Sequence, residues 1–144
     1  MIYQEIKDQK QRDYNKLFDT CGVFWAFSDK QWEENKTEKL PDEKYVSIGG
    51  GGYLPKHNVE KLMQGTKAID ETFKQQIQEF KAREQHILYE LNNYECYYTG
   101  DITEALEAMG NDYTTEEVQA VFKKFKAQKY LRETTEADYL PANA

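Results

Sequence analysis

Tyr45-Val46-Ser47-Ile48-Gly49-Gly50-Gly51-Gly52-Tyr53-Leu54-Pro55 sets four consecutive glycines between two short segments of β-branched, aliphatic and aromatic residues. Such segments favour an extended chain, and glycine supplies the positive φ of a tight reversal, so the stretch predicts an antiparallel hairpin. Upstream, Val23-Phe24-Trp25-Ala26-Phe27 is continuous, apolar and aromatic, the pattern of a short buried strand. Helices surround these strands. Ile6, Tyr14, Leu17, Phe18 and Cys21 fall on one face of a helix from about Tyr3 to Thr20, and Gly22 is a natural stop. Ser28, with Gln31 at the capping-box position, opens a second helix reaching about Lys39, and Leu40-Pro41-Asp42-Glu43 is a turn.

Beyond the hairpin, Asn58 is placed to cap a long helix from Val59 to about Asn92. Ile69, Phe73, Ile77, Phe80, Ile87, Leu88 and Leu91 form its apolar stripe, and Gly65 is a point for a bend or a split. Tyr94 to Gly100 links onward. Asp101 with Glu104 caps a short helix carrying Ile102, Leu106 and Met109. Thr114 with Glu117 opens a last one that buries Val118, Val121, Phe122 and Phe125. This order predicts an α+β fold: a helix-dominated single domain over residues 1–131, with a small antiparallel sheet or hairpin and one long helix. Residues 132–144 read as a flexible or loosely docked tail. The stripe of the long helix also suits a homodimer.

The chain has 144 residues, enough for one core, and its 14% aromatic content offsets a hydrophobic share of 39%. That argues against global disorder. Cys21 and Cys96 lie far apart with no CxxC unit, Met1 to Asp8 turns polar at once, and no apolar run approaches the roughly 20 residues of a membrane-spanning helix. The expectation is a cytoplasmic protein with reduced thiols and no membrane association. A net charge of -7 repels phosphates, so direct binding of nucleic acid is disfavoured.

That charge is regional. Glu84, Glu90, Glu95, Asp101, Glu104, Glu107, Asp112, Glu116 and Glu117 follow one another with no Lys or Arg from Glu84 to Phe122. The rest of the chain, with 19 basic residues, holds the remaining 17 of the 26 acids, a net +2. Sustained negative potential suits docking on a partner with a basic surface, steered electrostatically and weakened by salt. Acids at helix N-termini, as Asp101, Glu104, Glu116 and Glu117 are placed, also favour the helix dipole and solubility without any partner. Tyr94, Tyr97, Tyr98 and Tyr113 add amphipathic area beside the acids, of the kind enriched in interface hot spots and at the rims of small cores.

Two other constellations compete. Gly49, Gly50, Gly51 and Gly52, with Lys56 and His57 behind them, form an alternative site for a nucleotide or other small anion, although a hairpin turn explains the glycines without a ligand. His86 and Glu90 share a helical face and, with Glu95 or Asp101, approach a metal-ligand set, but HExxH is absent and an ordinary surface pair is favoured. No nucleophile motif and no cofactor-binding motif is present, so the reading is not an enzyme, with no cofactor and no metal.

The blocks Gly22-Val23-Phe24-Trp25-Ala26-Phe27-Ser28-Asp29-Lys30-Gln31-Trp32, Tyr45 to Lys56 and Tyr89-Glu90-Leu91-Asn92-Asn93-Tyr94-Glu95-Cys96 together resemble a group of small uncharacterised proteins of bacteriophages and bacterial mobile elements. The resemblance extends to about Phe125. It implies a small acidic product that acts in the host cytoplasm, as an inhibitor of a host protein such as a restriction or CRISPR nuclease or as a sponge for signalling nucleotides, and it carries over no catalytic residue.

Overall fold

A computed structural model of the protein describes residues 1–127, so the tail expected at 132–144 lies outside the described residues. The chain divides into two compact units, Met1–Phe80 and Lys81–Ala144.

In the first unit, α1 (Tyr3–Cys21) ends at Gly22, whose φ of 71° lets its N–H turn back to the carbonyls of Asp19 and Phe18. A three-stranded antiparallel sheet follows in the order β1 (Phe24–Trp25), β3 (Gly52–Pro55), β2 (Tyr45–Gly49). The strand expected over Val23–Phe27 is shorter because the Phe27 N–H donates to Gln31 Oε1 at 2.7 Å instead of continuing a ladder. Between the strands lies α2 (Asp29–Asn35), capped by the Ser28 hydroxyl, which accepts from the Gln31 N–H at 3.2 Å. Gly49 pairs with Gly52, leaving Gly50 and Gly51 as a two-residue turn at φ 59° and 81°, the primed geometry that matches strand twist. Gly51 and Gly52 are also places of close approach. A Cβ there would stand 2.3 Å from the Phe27 ring and 2.7 Å from the Trp25 ring, respectively.

One sheet face buries Phe24, Ala26 and Tyr45, with Trp32, Leu40 and Tyr53 packed around them. α3 (Val59–Glu79) packs on α1 and continues unbroken through Gly65, so the split considered there does not occur. Glycine is needed there for clearance, since a Cβ would lie 2.5 Å from Leu17 Cδ1.

The single helix expected from Val59 to Asn92 is two. Lys81 adopts φ 52°, a left-handed conformation no α-helix can continue through, and α4 (Arg83–Asn93) starts afresh beyond it. In the second unit α4 is followed by α5 (Cys96–Thr99), α6 (Thr103–Met109) and a helix over residues 115–127, α7. Ile87, Leu91, Cys96, Ala105, Met109, Tyr113, Val118 and Val121 form its core. The whole is helix-dominated α+β. Among the described residues, no helix is long and apolar enough to cross a membrane.

Candidate functional site

Four of the acids of the second unit sit where helix physics favours them. Glu84 and Glu104 occupy the first turns of α4 and α6. Glu116 and Glu117 occupy that of α7, whose Thr114 cap accepts from the Glu117 N–H at 3.1 Å. Three of the nine carboxylates are then tied by bonds within the unit. Arg83 clamps Glu117 through Nη2 at 2.7 and 2.9 Å and Nε at 3.0 Å, and this bond holds the guanidinium's pKa above its ordinary value. Lys124 Nζ donates to Glu84 at 2.8 Å. Asp101 accepts from the Thr103 hydroxyl at 2.6 Å and its N–H at 2.9 Å, bonds that hold its carboxyl below the usual range. Glu90, half-buried, and Asp112 are engaged within the protein.

Glu95, Glu104, Glu107 and Glu116 remain, all exposed, and among the described residues their carboxylates meet no cation. Beside Glu95 is Tyr98, 91% exposed, a position unusual for so large a ring. Asn92, Glu95, Tyr97 and Tyr98 line a hollow of about 250 Å³. Tyr97 is its fixed wall: its ring stacks on Phe122 at 4.7 Å, its hydroxyl reaches the Val121 carbonyl at 3.4 Å, and burial pushes its pKa up to about 12. Glu95 itself takes φ 54°, which turns the chain between α4 and α5.

The other constellations are not assembled. His86 is buried and not on the surface; its Nδ1 lies 2.6 Å from the Tyr113 hydroxyl. Among the described residues no three His, Cys, Asp or Glu side chains gather around a common point. The Cys96 thiol is buried, which raises its pKa and lowers its thiolate fraction. Gly49 to Gly51 lie at one end of β3, whereas Lys56 and His57 follow its other end. Four or five residues at roughly 3.3 Å each separate the turn from those two side chains by roughly 13–17 Å, too far for one small anion. His57 instead faces Glu38 at 3.3 Å.

Arg83, Lys124 and Asn92 belong to this surface and were missed by the sequence reading. The signal for the two cations is their place at the margins of the acidic stretch, one residue before Glu84 and two after Phe122.

A family model, described as a family of unknown function (DUF7659), matches residues 2–129. No curated protein and no solved structure matches the chain.

Proposed function

The chain belongs to the DUF7659 family, a family of unknown function, and on that footing we propose that it is a non-enzymatic interaction protein. Its acidic, tyrosine-bearing surface occupies the basic groove of a nucleic-acid-binding protein. The observation that carries this reading is that four exposed carboxylates of the second unit, Glu95, Glu104, Glu107 and Glu116, meet no cation among the described residues, with the 91% exposed Tyr98 beside Glu95. Like charges held without partners oppose compactness, and a basic groove relieves that opposition. An exposed tyrosine offers a rigid amphipathic anchor once it is desolvated at an interface. Carboxylates present to such a groove the same charge as a phosphate backbone, which supports nucleic-acid-binding proteins as the partner class. Within that class the reading favours a phage-type inhibitor of a host restriction or CRISPR nuclease.

The test is capture from nuclease-treated host lysate by the immobilised full chain at low and high salt. It compares wild type with the combined variant Glu95→Lys, Glu104→Lys, Glu107→Lys. The expected result is a nucleic-acid-binding protein retained at low salt, displaced by added duplex DNA and lost with the variant. Recovery of no such protein at either salt, or equal retention by the variant, overturns the reading.

A further inference from the structure

The first unit contains a hollow of about 580 Å³ that plays no part in the function proposed above. Phe27, Trp32 and Tyr53 give it aromatic walls, Asp29 and Asp42 give it two carboxylates, and Ser28 a hydroxyl; its lining holds no Lys, Arg or His. The walls are set in advance. The Trp32 ring meets Tyr53 at 4.9 Å, Tyr45 at 5.2 Å and Phe24 at 5.3 Å, each nearly edge-on. Its Nε1–H donates to Asp42 Oδ1 at 2.9 Å. The backbone of Phe27 is pinned by Gln31 Oε1, and its ring lies over Gly51, where no Cβ would fit. Lys36, within Coulombic range of Asp42, is bonded to Glu33 at 2.9 Å, which holds its pKa up.

The chemistry of this lining selects its occupant. An anion would face two carboxylates with no cation in the lining. A neutral apolar group would desolvate those carboxylates without compensation. A bare metal ion would find only two acidic ligands and three rings. A cation with an aliphatic stem satisfies both halves, since the ring faces attract its charge and cover its methylenes while the carboxylates pair with its head. We propose that this hollow binds an organic cation, the alkylammonium or guanidinium head of a lysine or arginine type of group. It is a site on a different unit from the acidic surface.

The experiment follows the indole N–H resonances of the full-length protein by NMR at low ionic strength. Nα-acetyl-lysine amide and Nα-acetyl-arginine amide represent a partner's side chain, putrescine a free amine, and Nα-acetyl-norleucine amide the neutral control. The expected result is a saturable shift of the Trp32 resonance with the cations, none with the norleucine compound, and a stationary Trp25, which does not line the hollow. Tighter binding of the side-chain analogues assigns the site to a protein partner, and tighter binding of putrescine to free amines; either supports a cation site. Asp29→Asn combined with Asp42→Asn keeps an oxygen that accepts from the Trp32 indole and should weaken binding by about tenfold. Phe27→Ala, at a ring 75% exposed, removes one wall without opening a core and should weaken binding severalfold with unchanged circular dichroism. Equal shifts with the norleucine compound, no shift with any cation, or undiminished binding by both variants overturns the proposal. Because the lysine reversals at Glu95, Glu104 and Glu107 are in the other unit, failure here and failure of the interaction reading are distinguishable.

Discussion

His86 Nδ1 lies 2.6 Å from the hydroxyl of Tyr113, and both side chains are buried. Their rings meet edge-on at 5.2 Å, the Arg83 guanidinium lies 4.6 Å over the Tyr113 ring, and Arg83 is clamped to Glu117. These four residues tie the start of α4 to the segment that leads into α7. Tyr113→Phe keeps the ring and removes the hydroxyl from a buried imidazole nitrogen, so it should destabilise the protein by about 1–3 kcal/mol. Urea unfolding checks this, as a lower midpoint with an unchanged slope. An unchanged midpoint would show that the pair contributes nothing net.

The same tyrosine makes stability fall at alkaline pH. Burial pushes the Tyr113 pKa up to about 12, against the opposing pull of Arg83, and burial brings Tyr97 to about 12 as well. Above the ordinary tyrosine value of about 10 the unfolded chain loses these protons first, so it binds fewer than the folded one. Their contribution is therefore complete below about pH 10 and is lost as the pH rises towards about 12. Unfolding midpoints across that window should decline, and the decline should be shallower in Tyr113→Phe. A parallel decline in both proteins would assign the alkaline loss to other groups.

The hairpin separates two roles of glycine. Gly50 has φ 59° with nothing within 4 Å of a Cβ, whereas Gly51 has φ 81° and the Phe27 ring at 2.3 Å. Gly50→Ala should cost about 1–2 kcal/mol from left-handed backbone alone. Gly51→Ala should cost more, and the added Phe27→Ala change should bring it back to the level of Gly50→Ala. Thermal unfolding of the three variants measures the difference. Equal costs for the two single variants would mean that Phe27 swings away freely.

What the sequence discloses here is local chemistry, and what it hides is pairing at a distance. Ser28, Gly22 and the Thr114–Glu117 box mark helix ends because each acts on backbone groups within three or four residues. The glycine run marks the turn for the same reason. The break at Lys81 carries no such mark, because lysine in a left-handed conformation leaves no trace in composition, while Gly65, which looks like a breaker, is there to let Leu17 approach. Among the candidate residues, the acid-only stretch is plain in the sequence. The neutralisation of Glu117 by Arg83 and Glu84 by Lys124 spans 34 and 40 residues and depends on how α4 and α7 pack. Spacing places His86 on the face of Glu90, but its burial and its contact with Tyr113, 27 residues on, depend on tertiary packing.

Glu95 offers a test in which stability and binding move in opposite directions. It holds φ 54° with a side chain that meets no cation among the described residues, so its carboxylate does nothing to offset the left-handed backbone strain of about 1–2 kcal/mol. Glu95→Gly removes that strain while adding about 0.4–1 kcal/mol of unfolded-chain entropy, a net gain of roughly 0.5–1 kcal/mol. Lys81→Gly, at φ 52°, should stabilise by a similar amount. If Glu95 is kept because its carboxylate beside Tyr98 meets a basic partner, Glu95→Gly should raise the melting temperature and weaken salt-sensitive capture of that partner. Lys81→Gly should raise the melting temperature and leave capture unchanged. Capture that survives Glu95→Gly at full strength would remove Glu95 from the proposed surface.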